Sequence, residues 1–237
     1  MADPLLLIAT LADWLTGCRH VAVGAASPIP GSAALLARAR SSDTLRVTIL
    51  GSRRHNDFTD GGRELFDCAG QGRIDAFFFG GGEIDGHGNI NLVGVGGYPR
   101  SAVRFPGSFG SAYLAFAVPR VILFREEHTS RVLVPKVAFV SAPGTSPPGV
   151  WRRGGPVALV TGRCVFAFDR DRARFRLASL HPGESRTTIR ANTGFDYDEA
   201  EDVPETPAPS PETIRLLRTV IAKDIAETYP RFAAATF

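Results

Sequence analysis

Asp75-Ala-Phe-Phe-Phe79 runs straight into Gly80-Gly-Gly-Glu-Ile-Asp-Gly-His-Gly-Asn-Ile-Asn91, and this junction decides how the fold is read. A short unbroken apolar run fits a strand buried on both faces of a parallel sheet, so Phe77, Phe78 and Phe79 read as core. The twelve residues that follow hold five glycines and two asparagines, too little side chain to build a core. Glycine admits positive φ and lets a bulky group approach the main chain, while Asn and Asp close turns with their own side chains. A loop of that make-up at the carboxyl end of a sheet strand is where α/β proteins hold ligands. A long turn between two strands is the alternative, and it accounts for only some of the glycines.

Working outward, Asp3 as cap, Pro4 at the first helical position and Gly17 as stop frame an N-terminal helix. Val21 to Val23 reads as a buried strand that enters Gly24-Ala-Ala-Ser-Pro-Ile-Pro-Gly31, with a helix expected over Ser32 to Arg40. Strand, glycine loop and helix in that order form the βα unit of an open parallel sheet. The loop, with Ser27 in it, is a natural place for an anion or cofactor. It lacks G-x-G-x-x-G, so a dinucleotide site is not indicated. Further strands are expected at Arg46 to Leu50, Val121 to Phe124 and Val137 to Val140. Val157 to Val160, Val165 to Phe168 and Arg174 to Ala178 read as an antiparallel meander. Asp198 to Pro211 is acidic and proline-rich and should run extended. Ser210 then caps a last helix with Ile214, Leu217, Val220, Ile221 and Ile225 as its buried side. The fold class expected is α/β: a mainly parallel sheet flanked by helices with an antiparallel C-terminal part, in one domain over residues 1–237.

Composition narrows the class. The chain has 237 residues and a formal net charge of +3, with its arginines scattered among acids. No nucleic-acid footprint is expected from that pattern. Cys18, Cys68 and Cys164 are odd in number and far apart. They form neither a disulfide framework nor a metal pair, which suits a reducing cytoplasm, and no metal is expected. His87 and His128 have no second ligand at metal-binding spacing. No secretory leader or membrane span is indicated, so the expected location is cytoplasmic.

Five elements in order carry a resemblance. They are Gly81 to Asn91, Arg104-Phe-Pro-Gly-Ser-Phe-Gly110, His128-Thr-Ser-Arg131 leading to Lys136, Ser141-Ala-Pro-Gly144, and Asn192-Thr-Gly-Phe-Asp196. Across nearly its whole length the chain resembles the β subunit of class I coenzyme A transferases, of the glutaconate CoA-transferase type. The resemblance implies an α/β sandwich, an acyl-CoA substrate, and an active site shared with an α subunit in an α2β2 or larger assembly. In the transferases a glutamate at the end of the second strand attacks the acyl-CoA carbonyl and becomes a glutamyl-CoA thioester, splitting one hard exchange into easier steps. Aligned by strand end, that place here is Leu50, followed by Gly51 and Ser52. A leucine cannot form the thioester.

Relatives on this scaffold include a decarboxylase of a glutaconyl-type CoA and a hydrolase that opens a carbon ring in bacterial steroid catabolism. Ser179-Leu-His-Pro-Gly183 is similar to the β subunit of the latter. The expected function is therefore C–C hydrolysis or decarboxylation of an acyl-CoA. The alternatives are ordinary CoA transfer, or an inert subunit that completes the α-subunit site. Such chemistry must polarise the thioester carbonyl and handle a proton at carbon. Gly81, Gly82, Gly107, Ser108, Phe109 and Gly110 are the candidates for the oxyanion and CoA-facing backbone. Glu83 and His55 are the candidates for handling the proton, with a solvated or ion-paired loop role as the other reading of Glu83. Arg53 and Arg54 either hold a substrate carboxylate or form an exposed charged turn.

Overall fold

The computed structural model describes residues 3–42, 44–97 and 99–237; Met1 and Ala2, on which part of the leader reading falls, lie outside the described residues. The Asp3 carboxylate accepts the Leu5 amide at 2.9 Å and, with Pro4, starts α1 (Pro4–Asp13). β1 (His20–Val23) is buried throughout. α2 (Pro28–Arg40) begins four residues earlier than the expected Ser32. Pro28 and Pro30 occupy first-turn positions, where an N–H has no intrahelical acceptor, so the prolines fit inside the helix instead of preceding it. β2 (Arg46–Ile49) follows, then α3 (Gly61–Gly70), which the sequence reading missed, and β3 (Ala76–Phe79). β1 pairs in parallel with β2 (Val21↔Val47) and with β3 (Val21↔Ala76).

The chain forms two compact units, one comprising Phe79–Thr206 and the other joining the preceding chain to Pro207–Phe237. The Phe79–Thr206 unit starts with four two-residue strands: β4 (Glu83–Ile84), β5 (Ile90–Asn91), β6 (Gly94–Val95) and β7 (Val103–Arg104). α4 (Ser111–Ala117) leads to β8 (Arg120–Arg125), which pairs in parallel with β9 (Pro156–Thr161). β10 (Cys164–Asp169) and β11 (Arg174–Leu180) complete the antiparallel meander on β9. α5 (Arg186–Asn192) and β12 (Asp198–Glu199) close the unit, β12 lying parallel to β11. Its core is aromatic: Phe166 and Phe175 are fully buried, and the Phe166 ring meets Phe175, Phe195 and Tyr197 with centroids 5.0–6.0 Å apart. The expected mainly parallel, helix-flanked architecture with an antiparallel C-terminal part is present.

Val137 to Val140 is not a strand. Its first two amides go to side chains instead of a ladder: Ala138 donates to the Glu83 carboxylate (2.8 Å) and Val137 to that of Asp85 (3.4 Å).

The C-terminal stretch belongs to the same unit as α1 to α3. Ser210 caps α6 (Pro211–Leu216) through the Thr213 amide, as expected. A π-turn, Leu217–Ile221, then widens the helix before α7 (Ala222–Ala226), and α8 (Pro230–Thr236) follows. The wide turn moves the apolar line onto Thr213, Leu217, Ile221 and Ile225, all buried, and leaves Val220 exposed, against expectation. Among the described residues no helix is long and apolar enough to cross a membrane.

Candidate functional site

Within the Phe79–Thr206 unit the two glycine loops are brought together. β4 and β5 pair antiparallel, setting Glu83 opposite Asn91. Asn91 is fully buried; its Nδ2 donates to Glu83 Oε2 at 2.7 Å and to Gly94 O at 2.9 Å, while its Oδ1 accepts the Val93 and Gly94 amides. Glu83 is 7% exposed and also accepts the Ala138 amide. Asp85 does the same for the next turn, accepting the amides of His87 and Asn89 and the side chain of Asn89. The Asn89 Oδ1 in turn accepts the Gly144 amide at 3.0 Å. Glu83, Asp85, Asn89 and Asn91 are thus internal clamps that pin Gly81–Gly94 to the 137–144 segment. A solvated role for Glu83 does not fit this geometry.

The second loop joins the first through backbone. Gly107 donates to Leu92 O and Phe105 to Val93 O. The Phe105 ring lies where a Cβ on Gly82 would sit, 2.2 Å from that position, so only glycine fits there. The Gly82 and Gly107 amides are already bonded, to Asn91 O and Leu92 O, each at 2.9 Å. Neither can serve as an oxyanion donor, which corrects that part of the expectation. Gly107 keeps an open face: its φ is +114° and nothing lies within 4 Å of an added Cβ. Phe109, at φ +33° and 68% exposed, and Gly110, at φ +65°, turn the chain into α4. A non-glycine residue at positive φ on the surface is a strained feature of the kind found at binding loops.

In the other unit the turn after β2 gathers Arg53, Arg54 and His55. Leu50 is half-buried, its amide on Val23 O, and Gly51 takes φ +89°. The Ser52 hydroxyl accepts the Arg54 and His55 amides and donates to Glu227 Oε2 at 2.6 Å. Glu227 Oε1 accepts the Arg53 amide at 2.9 Å, and Thr228 donates its hydroxyl to Oε2. The Ser52 hydroxyl, then the Thr228 hydroxyl, then the Arg53 amide hold the Glu227 carboxyl down at about 2. Arg54 pairs with Asp224 at 2.8 Å, and Asp224 also meets Arg38 at 3.5 Å. Gly51, Arg53, Arg54, Glu227 and Thr228 line an open cleft of about 530 Å³.

His55 lies beneath that turn, 7% exposed. Burial, then the Arg38 guanidinium, push its pKa below the ordinary value, so the ring is neutral near pH 7. Its Nδ1 faces Arg38 Nη1 at 3.5 Å. A guanidinium only donates, so Nδ1 accepts and Nε2 carries the proton. That buried Nε2 has no partner among the described residues.

Ser27 caps α2 without a side-chain bond to the helix, and its amide donates to Tyr229 Oη at 3.2 Å. Because Pro28 and Pro30 have no N–H, only Ile29 offers a first-turn donor, which weakens the expected anion site there. His128 is structural: its Nδ1 and Nε2 meet the hydroxyls of Thr161 (2.8 Å) and Thr193 (3.0 Å), and burial drops its pKa to about 4. Cys164 is buried, which pushes its thiol up. Among the described residues no three His, Cys, Asp or Glu side chains are grouped to hold a metal. Sequence reasoning missed Glu227, Asp224 and Tyr229. No local signal marks them, since Glu227 meets Ser52 across 175 residues of chain.

The family model described as Coenzyme A transferase matches residues 4–192. The β subunit of a 3-oxoadipate CoA-transferase from Pseudomonas knackmussii is 35% identical over 162 residues, 65% of this chain and 62% of that protein. The cholesterol ring-cleaving hydrolase IpdB subunit from Rhodococcus jostii is 30% identical over 176 residues, 67% of this chain and 64% of that protein. The matches thus span somewhat less than two thirds of the length of these curated relatives. The crystal structure of the decarboxylase AibA/AibB superposes with a TM-score of 0.79 at 25% identity, covering 100% of this chain and 99% of that one. The family match takes in both glycine loops and the turn after β2, so the resemblance read from the five motifs holds: this chain belongs to the coenzyme A transferase family.

Proposed function

We propose that this chain is the β-type subunit of a two-subunit enzyme acting on an acyl-CoA thioester, and that it breaks a C–C bond by hydrolysis or decarboxylation without a glutamyl-CoA intermediate. The observation that carries the reading is the end of β2, where Leu50 precedes the cleft and the carboxylates beside it are engaged: Glu227 by three donors, Asp224 by Arg54. A carboxylate so well solvated by fixed donors is a poor nucleophile.

In decarboxylation the C–C bond breaks with release of CO2, and in hydrolysis it breaks after water adds to a carbonyl on the departing carbon, which leaves as a carboxylate; in both the thioester takes up the electron pair as an enolate that is then protonated at carbon. In this reading the open backbone of the Gly107–Gly110 loop faces the CoA thioester. Of the two proton-handling candidates, each taken within its own unit, His55 is neutral and its Nε2–H has no partner among the described residues, whereas Glu83 has one oxygen held by two donors and keeps its loop in shape. Arg53 receives an anionic group of the substrate. The site is proposed to be completed by an α-type subunit, and the exposed side chains of Phe109, Tyr113, Phe139, Val150 and Trp151 support a partner there. The location proposed is the cytoplasm.

Transfer of CoA between acids is a second reading, favoured by the 35% identity to part of a 3-oxoadipate CoA-transferase. Treating the assembled complex with borohydride after mixing with acyl-CoA separates the two. Retained activity, with a product one carbon shorter or ring-opened, supports C–C cleavage; inactivation supports transfer.

A further inference from the structure

The C-terminal segment 224–229 lies outside the stretch matched by the family model, yet it supplies side chains to both loops that leave β1 and β2. Tyr229 Oη accepts the Ser27 amide in the first loop. Asp224 takes Arg54 and Arg38, and Glu227 takes Ser52 and the backbone of Arg53 in the second. The consequence for charge is specific. Both carboxylates next to the cleft are occupied, Asp224 by the Arg54 guanidinium and Glu227 by hydroxyls and an amide. The Arg53 side chain is exposed, lines the cleft, and has no ion-pair partner among the described residues. Glu227 therefore grips Arg53 by its main chain and leaves its guanidinium for something else. Gly51 at φ +89° permits the turn, and nothing lies within 4 Å of its missing side chain.

We propose that Glu227 is a positioning residue for anion binding at this cleft: it fixes the Gly51–Arg53 turn so that Arg53 presents its guanidinium to a carboxylate or phosphate of the substrate. This deepens the acyl-CoA reading and rests on it for the identity of the ligand, but not for the anion site itself.

Sulfate serves as the first probe, titrated into the full chain while the Arg53 Nε–Hε resonance is followed. Sulfate shifts that resonance in the native chain, and Glu227→Ala weakens the apparent Kd about tenfold, the range of one lost charge-assisted contact. Glu227→Gln, which keeps an acceptor oxygen for the Arg53 amide, stays within about threefold. Glu227→Ala combined with Arg53→Ala, both Arg53→Ala variants being followed by the Gly51 amide resonance instead, binds no more weakly than Arg53→Ala alone, because the first residue acts through the second. A native chain whose Arg53 resonance does not respond, an unchanged Kd in Glu227→Ala, or additive losses in the pair would each overturn the proposal. Should Glu227→Ala not fold, Glu227→Asp, which withdraws the carboxylate by one methylene, is measured with the same expectation. Glutaryl-CoA and butyryl-CoA are then titrated into the assembled complex. A penalty in Arg53→Ala confined to glutaryl-CoA supports the proposal with the acyl carboxylate as the anion, and an equal penalty on both supports it with a CoA phosphate. The sulfate pattern without any binding of acyl-CoA supports Glu227 in its role and contradicts the acyl-CoA reading.

Discussion

Gly82 shows how one residue type can be demanded by a contact and not by a ligand. The Phe105 ring fills the place of its side chain, and its amide is bonded to Asn91 O. Gly82→Ala should cost about 1–3 kcal/mol by forcing that ring aside. Denaturant unfolding checks this, and Phe105→Leu in the same chain should recover part of the loss. His128 makes a pH prediction. Its folded value of about 4 lies below the ordinary 6.5, so the native state holds the neutral ring. Its contribution is complete above about pH 6.5 and is lost as pH falls toward 4, with a slope of at most about 1.4 kcal/mol per pH unit for one proton. His128→Gln should remove that one-proton slope from unfolding curves recorded between pH 7 and 4. The burial of His20, His55 and His181 lowers their values too, so the variant should keep the remaining acid lability.

At the scale of elements, α7 and the residues that follow it anchor the loops after β1 and β2, through Asp224, Glu227 and Tyr229. Ile225 is fully buried, and its Cδ1 comes within 3.1 Å of where a Cβ on Gly31 would be. Ile225→Ala should therefore cost about 2–4 kcal/mol. It should also raise hydrogen exchange at Ser27 and Arg53, the two amides bonded by Tyr229 and Glu227. Elements with strong local signals were legible in the sequence: the Asp3-Pro4 and Ser210-Pro211 starts, the all-apolar β3, the alternating meander. What was not legible depended on distant chain. α2 starts at Pro28 because a helix tolerates missing first-turn donors. The 137–140 segment forgoes a strand because Glu83 and Asp85 satisfy its first two amides. Val220 is exposed because a wide turn shifts the helical phase. In the site, the glycine loops could be read from composition, but whether a glycine amide was available for a ligand could not. Nor could Glu227, whose partners come from the other end of the chain.

For the molecule as a whole, the account turns on the end of β2, where Leu50 carries a hydrocarbon side chain at the place we propose as the counterpart of the transferases' nucleophilic glutamate. The family match, the retained glycine loops and the guarded Arg53 cleft are all compatible with binding a thioester. What they do with it depends on whether a covalent acyl or CoA carrier exists. Leu50→Glu should create one, because the position follows β2 directly and Gly51 leaves open space beside it. The intact mass of this chain, taken from the assembled complex after incubation with acyl-CoA, is the direct measurement. The prediction is an unchanged mass for the native chain and a CoA-adduct peak only in Leu50→Glu; a CoA adduct on a carboxylate of the native chain would contradict the account.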